Sequence, residues 1–382
     1  MGASFMFVGR GATDPARIGH ELLDAAGIEI GGPNAWDIQI HDDRLFERVL
    51  ANRELGLGEA YMDGWWDAGR VDEFLARVLL SDIRSHIKAN PGALLLAVKA
   101  QLANRQSMRR AKDNASAHYD IGNDLFERML DDRMVYSAAY WPEATTLDEA
   151  QEAKLDLICR KLGLKSGMTL LDIGCGWGGF AQFAAERYGA TVTGISPAIE
   201  QVKLARERCD GLDVTIEQLD YRDVGGTFDR VVSVGMMEHV GPKNFRAFFR
   251  RCRELLAPDG LMLHHTIGAN HDNNHTDQWF DRYIFPGGVI PSLAQIATGA
   301  RDDWAIEDVQ NFGPDYDRTL LAWSDNIEAC WSEIPHYDER FRRMWYYYLM
   351  SSAASFRVRN IQLWQVVFSR SLQTSGSYDA AR

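Results

Sequence analysis

No two cysteines of this 382-residue chain stand two residues apart; the five, at 159, 175, 209, 252 and 330, are scattered. This excludes a zinc or dithiol motif, and the odd count argues against a disulfide framework and for a reducing cytosol. No apolar run reaches the ~18 residues that a membrane-crossing helix needs. The opening MGASFMFVGRGATDP lacks the apolar stretch of a secretory signal. Internal repeats and low-complexity tracts are absent. So is an excess of positive charge: 41 Lys and Arg face 54 Asp and Glu, a net −13. A chain of that sign is unsuited to nucleic acid, which is bound through Lys and Arg releasing phosphate counterions. What is present is apolar material, 46% of residues, ample for about two or three domains at roughly 150 residues each.

The acidity is unevenly spread. Residues 1–110 are nearly charge-balanced, so the acidic excess belongs to the remainder. Residues 83–112 carry Arg84, Lys88, Lys99, Arg105, Arg109, Arg110 and Lys112 and no acidic residue. From Ala93 onward, Leu94, Leu95, Val98 and Leu102 share one helical face. A basic helix with one apolar face suits an anionic bilayer surface, at about 1 kcal/mol per basic residue near it; a core helix with a solvated basic face is the equal alternative. The rest of this stretch reads as short helical segments at 16–28, 45–50 and 55–67. The last is broken by Gly56, Gly58 and Gly64 and loaded with Tyr61, Trp65 and Trp66, which a small core explains. These features divide the chain into a helical N-terminal domain (1–110) for lipid or membrane contact, a polar linker (111–130) and a catalytic domain (131–382).

From residue 168 strands and helices alternate. MTLLDIG, ATVTGIS, DVTIEQLD, FDRVVSVGM and GLMLHHTIG read as strands with helices between them, and 302–310 and 361–370 supply two more. This spacing predicts an α/β fold with a mostly parallel, doubly wound sheet of seven strands. An aromatic helical insertion lies at about 314–352. Thr146 or Asp148 caps a helix over about 148–162.

In LLDIGCGWGGF, Gly174, Gly176 and Gly179 satisfy G-x-G-x-x-G at a strand-to-helix turn. Dinucleotide and S-adenosylmethionine sites share this pattern. Asp172 lies inside the strand, the second strand ends without the acid that holds an NAD ribose, and the third ends in Asp220-Tyr221, an acid and a ring suited to an adenine edge and face. That combination is the pattern of a class I, Rossmann-like methyltransferase. Ser196, Glu200 and Gln201 follow the second strand, and the Gln201 amide can bond two hydroxyls. Glu238 and His239 lie at the end of the fourth strand, His264 and His265 at the end of the fifth, and Tyr316 in the insertion. Each alone is more often a satisfied buried polar group; together at carboxyl ends of strands they suggest a small polar site. The Glu-His pair lacks the i, i+4 spacing of a zinc site, so no metal is expected.

VYSAAYW, LLDIGCGWGG, VSVGMMEHVGPKNF, LHHTIG, RYIFPGG, NFGPDYDRTL, IQLWQVVFSR and the N-terminal LGLGEAYMDGWWD together resemble the bacterial cyclopropane-fatty-acyl-phospholipid synthases. The likeness spans essentially the whole chain; the related mycolic acid cyclopropane synthases lack the N-terminal extension. The resemblance implies transfer of a methylene group from S-adenosylmethionine to a cis double bond of an unsaturated phospholipid in the bilayer. The alkene takes the methyl, and a base then removes a proton so that the ring closes. In this family the base is a bound bicarbonate ion, which implies catalytic roles here for Glu238, His265 and Tyr316 with the backbone amides of Ala138 and Ile267. A carboxylate facing that anion must share a proton with it. The implied cofactor residues are Tyr136, Ser137, Asp172, Gly174, Gly176, Trp177, Gly178, Ser196, Gln201, Asp220 and Tyr221. Ring faces of Tyr136, Tyr140 and Tyr283 would ease a developing cation. A homodimer, a cytoplasmic location and a peripheral, transient hold on the anionic inner face of the cell membrane are also implied. The chain departs from the family at Ala138, where Cys is usual, so a thiol nucleophile there is excluded while the backbone N–H survives. Ser196 stands where Thr is usual.

Overall fold

The computed structural model describes residues 14–81, 121–370 and 378–382. The basic segment at 83–112 lies outside the described residues. The chain divides into two compact units. The first joins the N-terminal stretch to residues 277–286 and 335–358, and the second holds 121–276, 287–334 and 359–382. The two later pieces of the first unit fall within the stretch that the sequence pattern assigns to the catalytic domain.

In the first unit, strands β1 (Ile38–Ile40) and β2 (Trp66–Ala68) pair antiparallel, a small sheet that the sequence pattern does not signal. The expected break at the glycines is also corrected. One helix runs Leu45–Met62, kinked at Arg53. Gly56 and Gly58 lie within it because close packing requires them: a Cβ on Gly58 would stand 2.5 Å from the Trp279 ring. The aromatics do form a core. Trp66 packs on Tyr61 and Phe74 with centroids 5.0 and 4.8 Å apart, and Trp279 packs on Tyr347 at 4.8 Å. Asp72 is fully buried and held by Arg70 and Arg357, each at 2.7 Å, so the charge does not go unpaired.

The second unit is the predicted class I methyltransferase sheet. Its strands are β3 (Thr169–Ile173), β4 (Thr191–Ser196), β5 (Val214–Gln218), β6 (Phe228–Val234), β7 (Leu256–Ala269), β8 (Trp304–Asn311) and β9 (Ile361–Arg370). Their order is β5-β4-β3-β6-β7-β9-β8. The first five are parallel, and β9 runs antiparallel to both β7 and β8. Alternation sorts side chains to two faces. Leu170, Val192, Val232, Leu263 and Val367 meet the helices Leu147–Lys161, Gly179–Tyr188 and Ile199–Arg208 on one side. Leu171, Ile173, Val231, Met262 and Val366 meet Phe245–Leu255 and Leu293–Ala300 on the other. Thr146 caps the helix Leu147–Lys161, with Glu149 completing a reciprocal capping box. Because β3, β4, β6 and β7 are parallel, their carboxyl ends share one edge, and the polar residues singled out above cluster there.

Candidate active site

The glycine loop leaves β3 with Gly174, Gly176 and Gly178 at φ of +85°, +55° and +83°. No atom lies within 4 Å of a Cβ built on Gly176, so its requirement is backbone conformation alone. Gly179 is different: a Cβ there would sit 2.2 Å from the Arg133 carbonyl. That glycine lets the helix start press against the segment entering residues 135–141. The loop suits a ligand that needs close backbone approach, as the adenosyl cofactor does.

Residues 135–141 are gripped from two helices. Gln151 Nε2 donates to the carbonyls of Val135 and Ser137 at 3.2 and 2.9 Å, and Lys154 Nζ donates to Ser137 Oγ at 2.8 Å. From the helix Gly313–Cys330, Thr319 Oγ1 accepts from Ala139 N–H at 3.1 Å and from Trp141 Nε1–H at 2.9 Å, while Asp315 accepts from Trp141 N–H at 2.9 Å. Among the described residues the Ala138 N–H has no acceptor, although Ala138 is fully buried. Such a donor awaits a partner. Thr319→Val leaves two buried donors unpaired and should cost about 2 kcal/mol. Calorimetry should show a lower Tm for the Val variant and a smaller change for Thr319→Ser.

Glu238 lies just past β6, on a single helical turn (Met237–Val240) rather than on the strand itself. Its Oε1 accepts from Ile267 N–H at 2.7 Å. The resemblance assigns that amide to the anion; here it is engaged by the carboxyl and orients it. Glu238 Oε2 is buried and makes no hydrogen bond of good geometry among the described residues; the nearby Thr266 hydroxyl, which favours the charged carboxylate, donates to the Ile267 carbonyl instead. Burial holds its pKa above the ordinary carboxyl value. His265 is likewise buried, and burial, with Lys154, His264 and Lys161 nearby, drives its pKa well below the usual value, so the imidazole is neutral. Its Nε2 has no partner among the described residues. Phe312 bridges this residue to Tyr140, with centroids 5.6 Å from His265 and 5.7 Å from Tyr140. Trp323 bridges Tyr136 (5.2 Å) and Tyr316 (5.8 Å). Thus β6, β7, the run 135–141 and the helix bearing Tyr316 come together through shared neighbours. His264, the preceding residue, faces the opposite side against Phe248 and Phe249 and takes no part.

The remaining predicted cofactor residues have partners of their own. Asp172 is buried, which lifts its pKa to about 7, with Lys154 opposing the rise; Oδ2 is unpartnered among the described residues. Ser196 Oγ donates to Gln201 Oε1 at 3.2 Å, which leaves Gln201 its NH2 for a ligand hydroxyl. Asp220 is clasped by Arg222 at 2.7 and 2.8 Å, which holds its carboxyl below the usual range. Tyr221 packs on Phe248 at 5.2 Å. The Trp177 indole spends its N–H on Asn123 at 2.9 Å and lies against Phe126, so it braces the loop as a wall. Tyr283 belongs to the first unit, where its hydroxyl donates to Glu59 at 2.9 Å.

Burial raises the pKa of the Cys159, Cys175 and Cys252 thiols and pushes Cys209 up to about 11. With alanine at 138, the site has no reactive thiolate. Treatment with iodoacetamide at pH 8 should leave these four unmodified in the folded protein, as read by mass spectrometry of tryptic peptides.

Lys154, Gln151, Thr319 and Gln365 are not evident from the sequence as residues of the site. The first two carry a readable signal: with Leu147, Ala150, Leu155 and Ile158 they fall on the apolar stripe of their helix, where a charge is out of place.

A sequence model of mycolic acid cyclopropane synthetase matches residues 106–366. The chain is 50% identical to the cyclopropane-fatty-acyl-phospholipid synthase of Escherichia coli strain K12 over 94% of each chain. It is 34% identical to a tuberculostearic acid methyltransferase of Mycobacterium tuberculosis, over 90% of this chain and 85% of that one. Among solved structures it resembles the cyclopropane synthase MmaA2 of M. tuberculosis and mycolic acid cyclopropane synthase CmaA1 complexed with SAH and CTAB. Each has a TM-score of 0.62 at 32% identity, over 67% of this chain and 97% of the other.

Proposed function

The chain belongs to the mycolic acid cyclopropane synthetase family, and we propose on that premise that it converts cis double bonds of phospholipid acyl chains into cyclopropane rings. S-adenosylmethionine, when bound, supplies an electrophilic methyl group on a positive sulfur. The glycine loop, Tyr136, Ser137, Asp172, Ser196, Gln201, Asp220 and Tyr221 are the residues we assign to hold it; Trp177, anchored on Asn123, braces the loop. The half-identical relative carries the phospholipid substrate in its name, which supports the same acceptor here. Ring faces of Tyr136 and Tyr140 lower the cost of positive charge in an apolar pocket.

One observation carries the ring-closing step: the buried atoms Glu238 Oε2, His265 Nε2 and Ala138 N, without hydrogen-bond partners among the described residues, sit on segments joined in a chain, Glu238 to β7 through Ile267 and His265 to the run 135–141 through Phe312. We assign them, with Tyr316, to a bound anion that accepts the proton, and bicarbonate is that anion. The raised pKa of Glu238 lets its carboxyl share a proton with an anion, and a neutral imidazole has one N–H to offer. Ile267 contributes by aiming Glu238.

The test is to incubate the protein with S-adenosylmethionine and vesicles of unsaturated phospholipid, with and without added bicarbonate, and weigh the acyl chains. Gain of CH2 with loss of the olefinic signal, faster with bicarbonate, is expected. A methyl branch retaining an alkene would move the chain toward the tuberculostearic acid methyltransferase, and unchanged lipid would leave only a binding protein. No helix among the described residues is long and apolar enough to cross a membrane. A peripheral, cytoplasmic position on the bilayer's inner face and a homodimer complete the proposal, and vesicle binding that weakens as salt rises would support the first.

A further inference from the structure

His265 is paired across the sheet with Gln365 of β9, and the two side chains meet on one face: Gln365 Nε2 lies 3.4 Å from His265 Nδ1. Both residues are almost wholly buried. A neutral imidazole carries one proton, and the hydrogen bond made by one ring nitrogen decides which nitrogen bears it. With the Gln365 amide set Nε2 toward the ring and its Oε1 without a partner among the described residues, an N–H donated to Nδ1 needs a lone pair there, which puts the imidazole proton on Nε2. Nε2 is the nitrogen without a partner among the described residues. Phe312, set edge-on at 5.6 Å with planes 70° apart, restricts the ring from the side.

We propose that Gln365 is a positioning residue that fixes His265 as the Nε2–H tautomer, so that a neutral side chain presents a donor to the anion site. The inference rests on the proposed role of His265 there. With the opposite tautomer, a lone pair on Nε2 would face the anion and repel it. A free histidine gains a donor by becoming cationic; here a glutamine supplies the same polarity with no buried charge. The amide reaches Nδ1 because β9 runs antiparallel beside β7 in register, so His265, level with the carboxyl end of β6, meets a mid-strand residue of β9.

The test uses the full chain labelled with ¹⁵N-histidine, the His265 signals being identified by their loss in His265→Gln. The wild type should show a pyrrole-type Nε2 bearing its proton and a pyridine-type Nδ1, unchanged from pH 6 to 8. Gln365→Leu should mix the two tautomers and lower kcat about tenfold with little change in KM for the cofactor. Gln365→Glu places an acceptor at Nδ1 and should shift the proton there. A proton on Nδ1 in the wild type, or a Leu variant with the wild-type tautomer, overturns the proposal. A tautomer that shifts as expected with kcat unmoved upholds the control by Gln365 and overturns the task given to His265. Neither outcome depends on the melting temperature of the variant.

Discussion

Glu238→Gln lowers kcat by about 100-fold or more, the range for loss of a positioned proton-transfer group, while leaving S-adenosylhomocysteine affinity within about threefold. The amide keeps the size of the carboxyl, and its oxygen can still accept from Ile267 N–H, so the turn after β6 stays in place. What is lost is an oxygen able to hold and share a proton at the Oε2 position, which has no hydrogen-bond partner of good geometry among the described residues. The same variant should gain stability relative to the wild type as pH rises above the ordinary carboxyl value of 4.5. The sign follows from burial, which raises the folded pKa above the ordinary 4.5. The favourable contribution of a carboxyl whose folded pKa is raised is fully present below the unfolded pKa. It is lost as pH rises through the folded value. Replacing the group by a neutral amide removes that loss, so the Tm gap between variant and wild type should be small near pH 4 and widen toward pH 8. Lower activity with higher Tm is the mark of a group retained for function against stability. Calorimetry at several pH values and steady-state kinetics read both. Cofactor affinity falling in step with kcat would mean that the residue belongs to the other half of the site.

Gly179→Ala should have a comparable effect through packing. The added methyl would stand 2.2 Å from the Arg133 carbonyl and 3.1 Å from a methyl of Val135. The first neighbour is backbone and cannot swing aside, so the segment 133–137 or the helix start must move. Overpacking of this kind costs about 1–3 kcal/mol, and a displaced Tyr136-Ser137 pair should weaken cofactor binding by tenfold or more. The expected result is a Tm several degrees lower together with the affinity loss in titration calorimetry. A lower Tm with unchanged affinity would separate the third glycine from the cofactor and leave it a purely structural residue.

The two glycines of one motif act by different physics, and the sequence shows only that both are there. The seven strands of the sheet are legible, most as apolar runs bounded by turns, but β5 and β8, which are largely polar, only from their place in the succession of strands and helices. The carboxyl-end cluster is legible too, since parallel strands put their ends on one edge. Less legible are features set by register. That Gln365 faces His265 depends on how β9 slides along β7, across about 90 intervening residues. That Ile267 N–H aims Glu238, rather than standing open, depends on the single turn after β6. Gly56 and Gly58 read as breakers because local propensity says so. Their helix survives because both sites are closely packed: the Arg48 carbonyl crowds Gly56 at the kink, and Trp279, more than 200 residues later, occupies the space beside Gly58.

That last contact has a consequence for synthesis. The first unit needs residues 335–358, which bring Tyr347 onto Tyr61 and Trp66, and residues 277–286, which bring Trp279 onto Tyr347 and Gly58. As the chain leaves the ribosome, its opening helices therefore wait, with aromatic faces uncovered, until nearly the whole protein has been made. The sheet of the second unit waits as well, because β9 emerges only after the helix ending at Arg357. The two units thus finish almost together, and neither is expected to survive as a simple terminal truncation. A fragment stopping near residue 270 should aggregate rather than yield a free N-terminal domain, and folding should call on chaperones that shield aromatic surface during translation.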